Sequence, residues 1–490
     1  MEYKRQTPII TPRLIIHGGA GNITPGNLPP DRYNAFRTAL LTIVSKTHTY
    51  MTTPRDSRLP TALDAAVNAV LQLEDNPLFN AGHGAVFTRD GVNELEASVM
   101  VSRGRAKRGV GATGLRRVRN PILLARAMLE HGDADLGGPS SISSSSSSSS
   151  SSLGASSPAP SRGSDDGHLD IPSAQGHTLL HGPAAEQLAA QYGLALVDPS
   201  YFFTQRRWDE HVAALGRERA SGGAEPATWS ATEYLPQGTV GAVALDSDGV
   251  LCVATSTGGL TNKLTGRIGD TPVPGAGFWA EEWEERGDPS SSSSSPSARE
   301  ESWRRALARP DAPVVQLGSA LRALMADCLP TPFLYAPIAA PGGTATTTVR
   351  AFAGSGTGNG DSFMRTAALR TVAALARFGT EPSAAALTAV AGPGGELQRS
   401  AGDRWGARGE GEGGIIGIEV AIVSDAEGRT VEVRSEISHD HNCGGMYRAW
   451  IDDAGNAHYQ VFKDVPGAAG YGAEGTTEDV RHWCGEKTVL

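Results

Sequence analysis

Apolar positions recur along this chain with two different periods. From Thr61 to Glu74 an Ala/Val/Leu stripe repeats at helical spacing, with Thr61 placed as N-cap and Asp64 three residues on, which predicts a helix over 61–74. Asn120-Pro121 opens a second helix running to about Glu130, with Asn at the cap and proline at the first position, where a missing N–H is harmless. Asp361 to Phe378 predicts a third, stopped at Gly379. Elsewhere the apolar runs are short. Val240 to Leu245 and Val250 to Thr255 flank the turn Asp246-Ser247-Asp248-Gly249, and 416–435 repeats the pattern around Asp425-Ala426-Glu427-Gly428, so two hairpins are predicted. Hairpins alternating with helices are compatible with helices covering stacked antiparallel sheets. Periodicity alone leaves the layering open.

Composition changes the size of the problem. A length of 490 residues would ordinarily imply two or more domains. Yet 133–178 contains ten consecutive serines, Ser143 to Ser152, and 286–300 contains six, Ser290 to Ser295. Such stretches lack the apolar surface to offset an ordering entropy of about 1–2 kcal/mol per residue. A Gly-rich stretch covers 394–414. With these three set aside as disordered or loop insertions, the remainder has the size of one domain, 1–490. Two domains joined through 133–178 would separate segments that read as halves of one site.

The chemistry concentrates around Gly238-Thr239, at the mouth of the first hairpin. A threonine hydroxyl is a weak nucleophile unless a base lies within hydrogen-bond reach, and the nearest base is the threonine's own α-amine. That amine exists only if the Gly238–Thr239 bond is cut, so a self-cleaving precursor is one reading and an ordinary strand residue after a glycine turn the other. The residues downstream favour the first. Ala254-Thr255-Ser256-Thr257-Gly258-Gly259 crowds hydroxyls onto a strand end, and Thr261-Asn262-Lys263 and Gly266-Arg267-Ile268-Gly269-Asp270 come next. Arginine matches a carboxylate bidentately and aspartate accepts from an ammonium, so Arg267 and Asp270 suit the two charged α-substituents of an amino acid.

These segments resemble the plant-type asparaginase/isoaspartyl peptidase family of N-terminal-nucleophile hydrolases, here with low-complexity insertions. Ile16-His17-Gly18-Gly19-Ala20-Gly21, a strand ending in a glycine turn, agrees with it. So do Leu73-Glu74-Asp75-Asn76-Pro77-Leu78-Phe79-Asn80-Ala81-Gly82-His83-Gly84, Glu94-Leu95-Glu96-Ala97-Ser98-Val99-Met100 and Gly356-Thr357-Gly358-Asn359-Gly360-Asp361, all in the family's order. The resemblance implies an α+β fold, a four-layer αββα sandwich, cut into an α-subunit, 1–238, and a β-subunit, 239–490. It makes Thr239 the nucleophile, with Thr257 beside it assisting cleavage and acyl transfer. Arg267 would hold the substrate α-carboxylate, and Asp270 with the Gly360 carbonyl its α-ammonium. Thr357 and the Gly358 N–H would form the oxyanion hole. His17, Gly18 and Gly19, with Asn80, would support the nucleophile. The loop carrying Leu73, Glu74, Asn76, Phe79, Ala81 and His83 resembles one that wraps a structural sodium ion with backbone carbonyls; no other cofactor is implied. A homodimer of αβ units is the expected assembly. One departure bears on preference: the family's usual Thr-Gly-His-Gly-Glu is here Thr357-Gly358-Asn359-Gly360-Asp361.

The expected activity is hydrolysis of the side-chain amide of L-asparagine or of β-aspartyl dipeptides, releasing L-aspartate. A taspase-like endopeptidase cutting after aspartate is the alternative, supported by Phe278-Trp279-Ala280-Glu281 and Arg365-Thr366; a catalytically inactive relative acting as a binding protein is another. A net charge of −10 gives no field for nucleic acid. The cluster Arg103, Arg105, Lys107, Arg108 with Arg116, Arg117 and Arg119 reads as a solvated loop. No apolar run approaches the ~20 residues of a membrane span, no hydrophobic signal core opens the chain, and four scattered cysteines suggest reduced thiols, so a cytoplasmic setting is expected. His439-Asp440-His441-Asn442-Cys443 alternates soft ligands but lacks a second matched pair for zinc.

Overall fold

A computed structural model describes residues 8–137, 171–233, 235, 238–286, 314–317, 334–337, 346–379, 381–463 and 478–479. The serine runs and most of 133–178 and 286–300 lie outside the described residues.

The capping box at Thr61 forms as the spacing dictates. Asp64 N donates to Thr61 Oγ1 (3.2 Å) and Thr61 N to Asp64 Oδ2 (3.0 Å), opening helix Ala62–Glu74. The helix after Asn120 spans Pro121–Asp135, longer than expected, and Asn120 does not cap it. Its amide instead donates to Asp75 Oδ1 (3.0 Å). The single helix expected over 361–378 is two, Gly360–Thr366 and Ala368–Phe378, because Ala367 between them is left-handed (φ 45°). Residues 394–414 include a folded segment, with helix Glu396–Ala401 and a 3₁₀ turn at Gly402–Arg404.

Strands carry the rest of the α+β chain. In order they are β1 (Arg13–Gly21), β2 (Leu95–Val101), β3 (Gly109–Leu115), β4 (Leu179–His181), β5 (Val240–Leu245), β6 (Leu251–Thr257), β7 (Phe278–Arg286), β8 (Val314–Leu317), β9 (Leu334–Pro337), β10 (Thr347–Gly358), β11 (Gly413–Ser424), β12 (Thr430–His441), β13 (Gly445–Ile451), β14 (Asn456–Gln460) and β15 (Glu478–Asp479). A nine-stranded sheet runs β15-β14-β13-β1-β5-β6-β2-β3-β4, a four-stranded one β12-β11-β10-β7, and β8 pairs β9 separately. Both predicted hairpins form, β5–β6 and β11–β12. Their turns are closed by aspartates: Asp246 Oδ1 accepts from Asp248 N and Val250 N, and Asp425 Oδ1 from Glu427 N and Arg429 N. The glycines after His17 do not end a strand. They continue β1 through a bulge between His17 and Gly19.

Three large apolar clusters hold these elements, with a small fourth around Ala214, Ala227 and Leu235. One joins helices Pro30–Thr52, Ala62–Glu74 and Pro121–Asp135 to one face of the large sheet, through residues such as Leu40, Val70, Leu129, Ile16 and Ala254. A second joins Ile15, Val243 and Val253 of the large sheet to Phe278, Ala353 and Ile416 of the small one. The third packs Phe352 and Ile415 under Leu369, Val372 and Leu387 of the late helices. Alternation along the strands therefore sends successive side chains into different cores. Ile15 and Ile16 on β1 illustrate it.

Candidate active site

Thr239 is the residue before β5. That strand lies between β1 and β6, with Gly241 opposite His17 and Val240 opposite Ser256. Gly238 is pressed onto β1: a side-chain carbon there would fall 2.3 Å from Gly19 Cα and 2.6 Å from Ala20 N, so the approach demands glycine at 238. His17 bridges the two sheets, its Nε2 2.7 Å from Ser355 Oγ on β10. Burial pulls its imidazole down to about 3, against an opposing hydrogen bond with the Thr239 backbone. His17 is thus neutral near pH 7 and serves as a fixed hydrogen-bonding strut.

Thr239, Thr257, Arg267, Asp270, Gly358 and Gly360 line one cleft, together with Glu96, Gly259, Leu260, Gly269 and Thr271. Its free cavity volume is only about 10 Å³, far below the ~300–1,000 Å³ of drug-sized pockets, so the cleft is nearly closed in the uncut chain. Thr257 is buried, its Oγ1 accepting from Gly259 N (2.9 Å). Asn80 braces that strand end: its Nδ2 donates to Gly259 O (2.7 Å), its Oδ1 accepts from Val86 N (3.0 Å), and its carbonyl from Gly258 N (3.0 Å).

The charged groups lie in the adjoining loop. Asp270 is buried, Oδ2 has no hydrogen-bond partner among the described residues, and burial pushes its carboxyl up to about 7 while Arg267 pulls it down. Arg267 Nη2 donates to Asp361 Oδ1 (2.9 Å) at the rim. Beneath them Glu96 Oε1 accepts from Thr113 Oγ1 and Gly269 N (both 3.0 Å). Buried Lys263 donates to Glu94 O (2.9 Å), and burial holds its ammonium below the ordinary lysine value while Glu96 and Glu94 oppose.

The end of β10 closes the site. Thr357 Oγ1 accepts from Ala20 N (3.2 Å), which leaves its own proton for another acceptor. The two departures from the family motif have different roles. Asn359 turns away to cap the next helix, its Oδ1 accepting from Ser362 N (3.1 Å) and Ser362 Oγ (2.8 Å), whereas Asp361 touches Arg267. Gly360 lies against both charged groups: an added side-chain carbon would fall 2.5 Å from Asp270 Oδ1 and 3.2 Å from Arg267 Nη2. Gly360→Ala is therefore expected to displace both and raise KM about tenfold with a smaller change in kcat, as steady-state kinetics would show.

Of the residues expected at the site, Thr239, Thr257, Arg267, Asp270, Gly358 and Gly360 line the cleft; Thr357 lies next to Gly358 against Ala20, and Gly238 lies against Gly19 on β1, while Gly18 packs on Phe79 and Tyr447. Sequence reasoning missed Thr271, whose hydroxyl is 2.9 Å from that of Thr239, and Ser355. The one available signal for Thr271 was its position directly after Asp270. The basic cluster is spent on structure: Arg103 pairs with Glu282, Arg105 with Asp133, and Arg116 with Glu94. No group of three or more His, Cys, Asp or Glu able to hold a metal occurs among the described residues, His439 to Cys443 included. Nor does any described helix have the length and apolarity to cross a membrane.

A threonine at a strand mouth with a guanidinium and a buried carboxyl across a small cleft suits a hydrolase, and sequence comparison identifies the family. A family model described as asparaginase matches residues 10–141 and 172–284. The chain is 35% identical over 267 residues to an isoaspartyl peptidase of Escherichia coli, covering 54% of this chain and 67% of that one. It is 32% identical over 292 residues to a putative isoaspartyl peptidase/L-asparaginase of Dictyostelium discoideum (54% and 70%). Identity to a plant-type L-asparaginase of Pyrococcus furiosus is 32% over 276 residues (55% and 70%). The chain belongs to the asparaginase family and is a hydrolase. Thr239, Thr257, Arg267 and Asp270 fall inside the matched stretches, Thr357 to Asp361 outside them.

Proposed function

We propose that the chain cuts its own Gly238–Thr239 bond and then hydrolyses the side-chain amide of L-asparagine, of β-aspartyl dipeptides, or of both. The observation carrying this reading is the convergence of Thr239, Arg267 and Asp270 on one small buried cleft. Thr239 Oγ attacks the amide carbon, and the freed α-amine takes its proton. Thr357 Oγ–H and Gly358 N–H stabilise the oxyanion, a contribution of roughly 3 kcal/mol per donor. The same amine then protonates the leaving nitrogen, and ammonia or an amine departs. Water hydrolyses the Thr239 ester to release L-aspartate. Thr257 assists from the adjacent strand end. Arg267 grips the α-carboxylate; Asp270 and the Gly360 carbonyl take the α-ammonium. An unpartnered carboxylate oxygen in so small a cleft favours a free ammonium over an internal peptide, and hence this reading over an endopeptidase.

The clusters support a four-layer αββα sandwich forming a single domain over 1–490; the cut into 1–238 and 239–490 and the pairing of two αβ units follow from the family resemblance. A structural sodium ion also fits. Among the described residues, no hydrogen bond reaches the carbonyls of Phe79, Ala81 and His83, while those of Leu73, Glu74 and Asn76 accept within the loop. Free carbonyl oxygens suit a hard cation, which would stiffen the turn that holds Asn80.

Rates on asparagine, a β-aspartyl dipeptide and a peptide with an internal aspartate test the substrate. Turnover of the first or second is expected; cleavage of the third alone would overturn the proposal.

A further inference from the structure

Sequence reasoning gave Thr257 the place beside the nucleophile, yet the hydroxyl in contact with Thr239 in the uncut chain is that of Thr271. The two Oγ atoms are 2.9 Å apart and both residues are buried. Thr271 is itself held rigidly. Its carbonyl accepts from Ser98 Oγ (2.6 Å) and Thr255 Oγ1 (3.5 Å), and those two hydroxyls, opposite each other on β2 and β6, are 2.5 Å apart. Pro272 comes next in the chain, restricting the Thr271 backbone to extended conformations. Pro272 in turn abuts Gly111 on β3, where a side-chain carbon would fall 2.4 Å from the Pro272 carbonyl. The β2 and β6 hydroxyls therefore anchor the Thr271 backbone, and the Thr271 side chain in turn meets the Thr239 hydroxyl. Thr239, being β-branched, has few side-chain rotamers, and one hydrogen bond is enough to select among them.

We infer that Thr271 is a positioning residue for self-cleavage, aiming the Thr239 hydroxyl in the precursor before any α-amine exists to do so. This rests on reading Thr239 as a self-cleaving nucleophile. In that step Thr239 Oγ adds to the Gly238 carbonyl carbon, the Oγ proton passes to the Thr239 nitrogen, and the C–N bond breaks. Breaking that bond frees the Thr239 amine and leaves Gly238 as an ester on Thr239 Oγ, which water hydrolyses to the Gly238 carboxylate and the Thr239 hydroxyl. The bond to Thr271 fixes the Thr239 side-chain rotamer and so the direction from which Oγ approaches the Gly238 carbonyl. After cleavage the freed amine supplies its own orientation and proton acceptor, so Thr271 matters less to turnover.

The test tracks conversion of freshly synthesised chain to two fragments over time, by denaturing mass spectrometry, in wild type, Thr271→Val, Thr271→Ser and Thr239→Ala. Valine keeps the shape and removes the hydroxyl. Thr271→Val should mature about tenfold or more slowly, Thr271→Ser within about threefold of wild type, with matching thermal unfolding. Once cut, Thr271→Val should lose less in kcat than it loses in maturation rate, because the freed amine then orients the Thr239 hydroxyl. Should the valine variant fail to fold, Thr271→Ala, smaller and unable to clash, replaces it. Maturation of Thr271→Val at the wild-type rate, or slowing as severe in the serine variant, overturns the inference. Cleavage of the Thr239→Ala control would instead overturn the reading beneath it.

Discussion

Thr239→Ala should leave one uncut chain and abolish amide hydrolysis, with losses on the order of 10⁶-fold in kcat as for other removed nucleophiles. The fold should survive the change. Alanine adds no atoms where Thr239 is buried, and the approach of Gly238 to Gly19 involves backbone only. The cost is the hydrogen bond to Thr271, about 1 kcal/mol. Thr239→Ser keeps the oxygen but loses the methyl that limits its rotamers, so slow cleavage is expected. Denaturing mass spectrometry separates the outcomes: one mass for alanine, a mixture for serine, and fragments meeting at Gly238 and Thr239 for wild type. Aspartate release by a purified alanine variant would exclude Thr239 as the nucleophile.

What the sequence displayed and what it concealed divide along the range of the interactions. The capping box at Thr61 and the aspartate-closed turns at Asp246 and Asp425 are local, formed within four residues, and all three formed as expected. The break at Ala367 was hidden because alanine is a good helix former and gives no sign of a left-handed residue. The bulge at His17 was hidden by glycines that read equally well as a turn. Thr239, Arg267 and Asp270 were legible as residue types, but their meeting depends on β5 lying between β1 and β6, a pairing no local pattern encodes. The bond between His17 and Ser355 spans 338 positions, and that between Thr239 and Thr271 crosses a loop, so neither had a spacing to betray it. Asn359 was singled out as a change near the substrate, and its side chain proves to be a helix cap.

Asp270→Asn should weaken catalysis and strengthen the fold, an opposition that a merely structural residue would not produce. Removing one partner of a buried charge pair costs about 2–5 kcal/mol, so kcat/KM for asparagine should fall roughly 30- to 5,000-fold. Stability should move the other way. The native carboxyl sits at about 7 against an ordinary 3.8, because burial disfavours the anion. A raised value means that the folded state holds the proton more tightly than the unfolded chain. The stability this confers is full below the ordinary value and is lost as pH rises through the native one. Above pH 7 the folded protein carries a buried carboxylate at a cost on the order of 4 kcal/mol, by 1.36 kcal/mol per unit. Asparagine, neutral throughout, escapes it. Introduced into the uncut Thr239→Ala chain, Asp270→Asn should therefore unfold at higher temperature than its parent at pH 8, and the gap should shrink steadily toward pH 4. A variant that melts lower at pH 8, with no pH-dependent difference, would mean that Asp270 is ionised and paired in the resting protein, and that the substrate ammonium meets a carboxylate already satisfied.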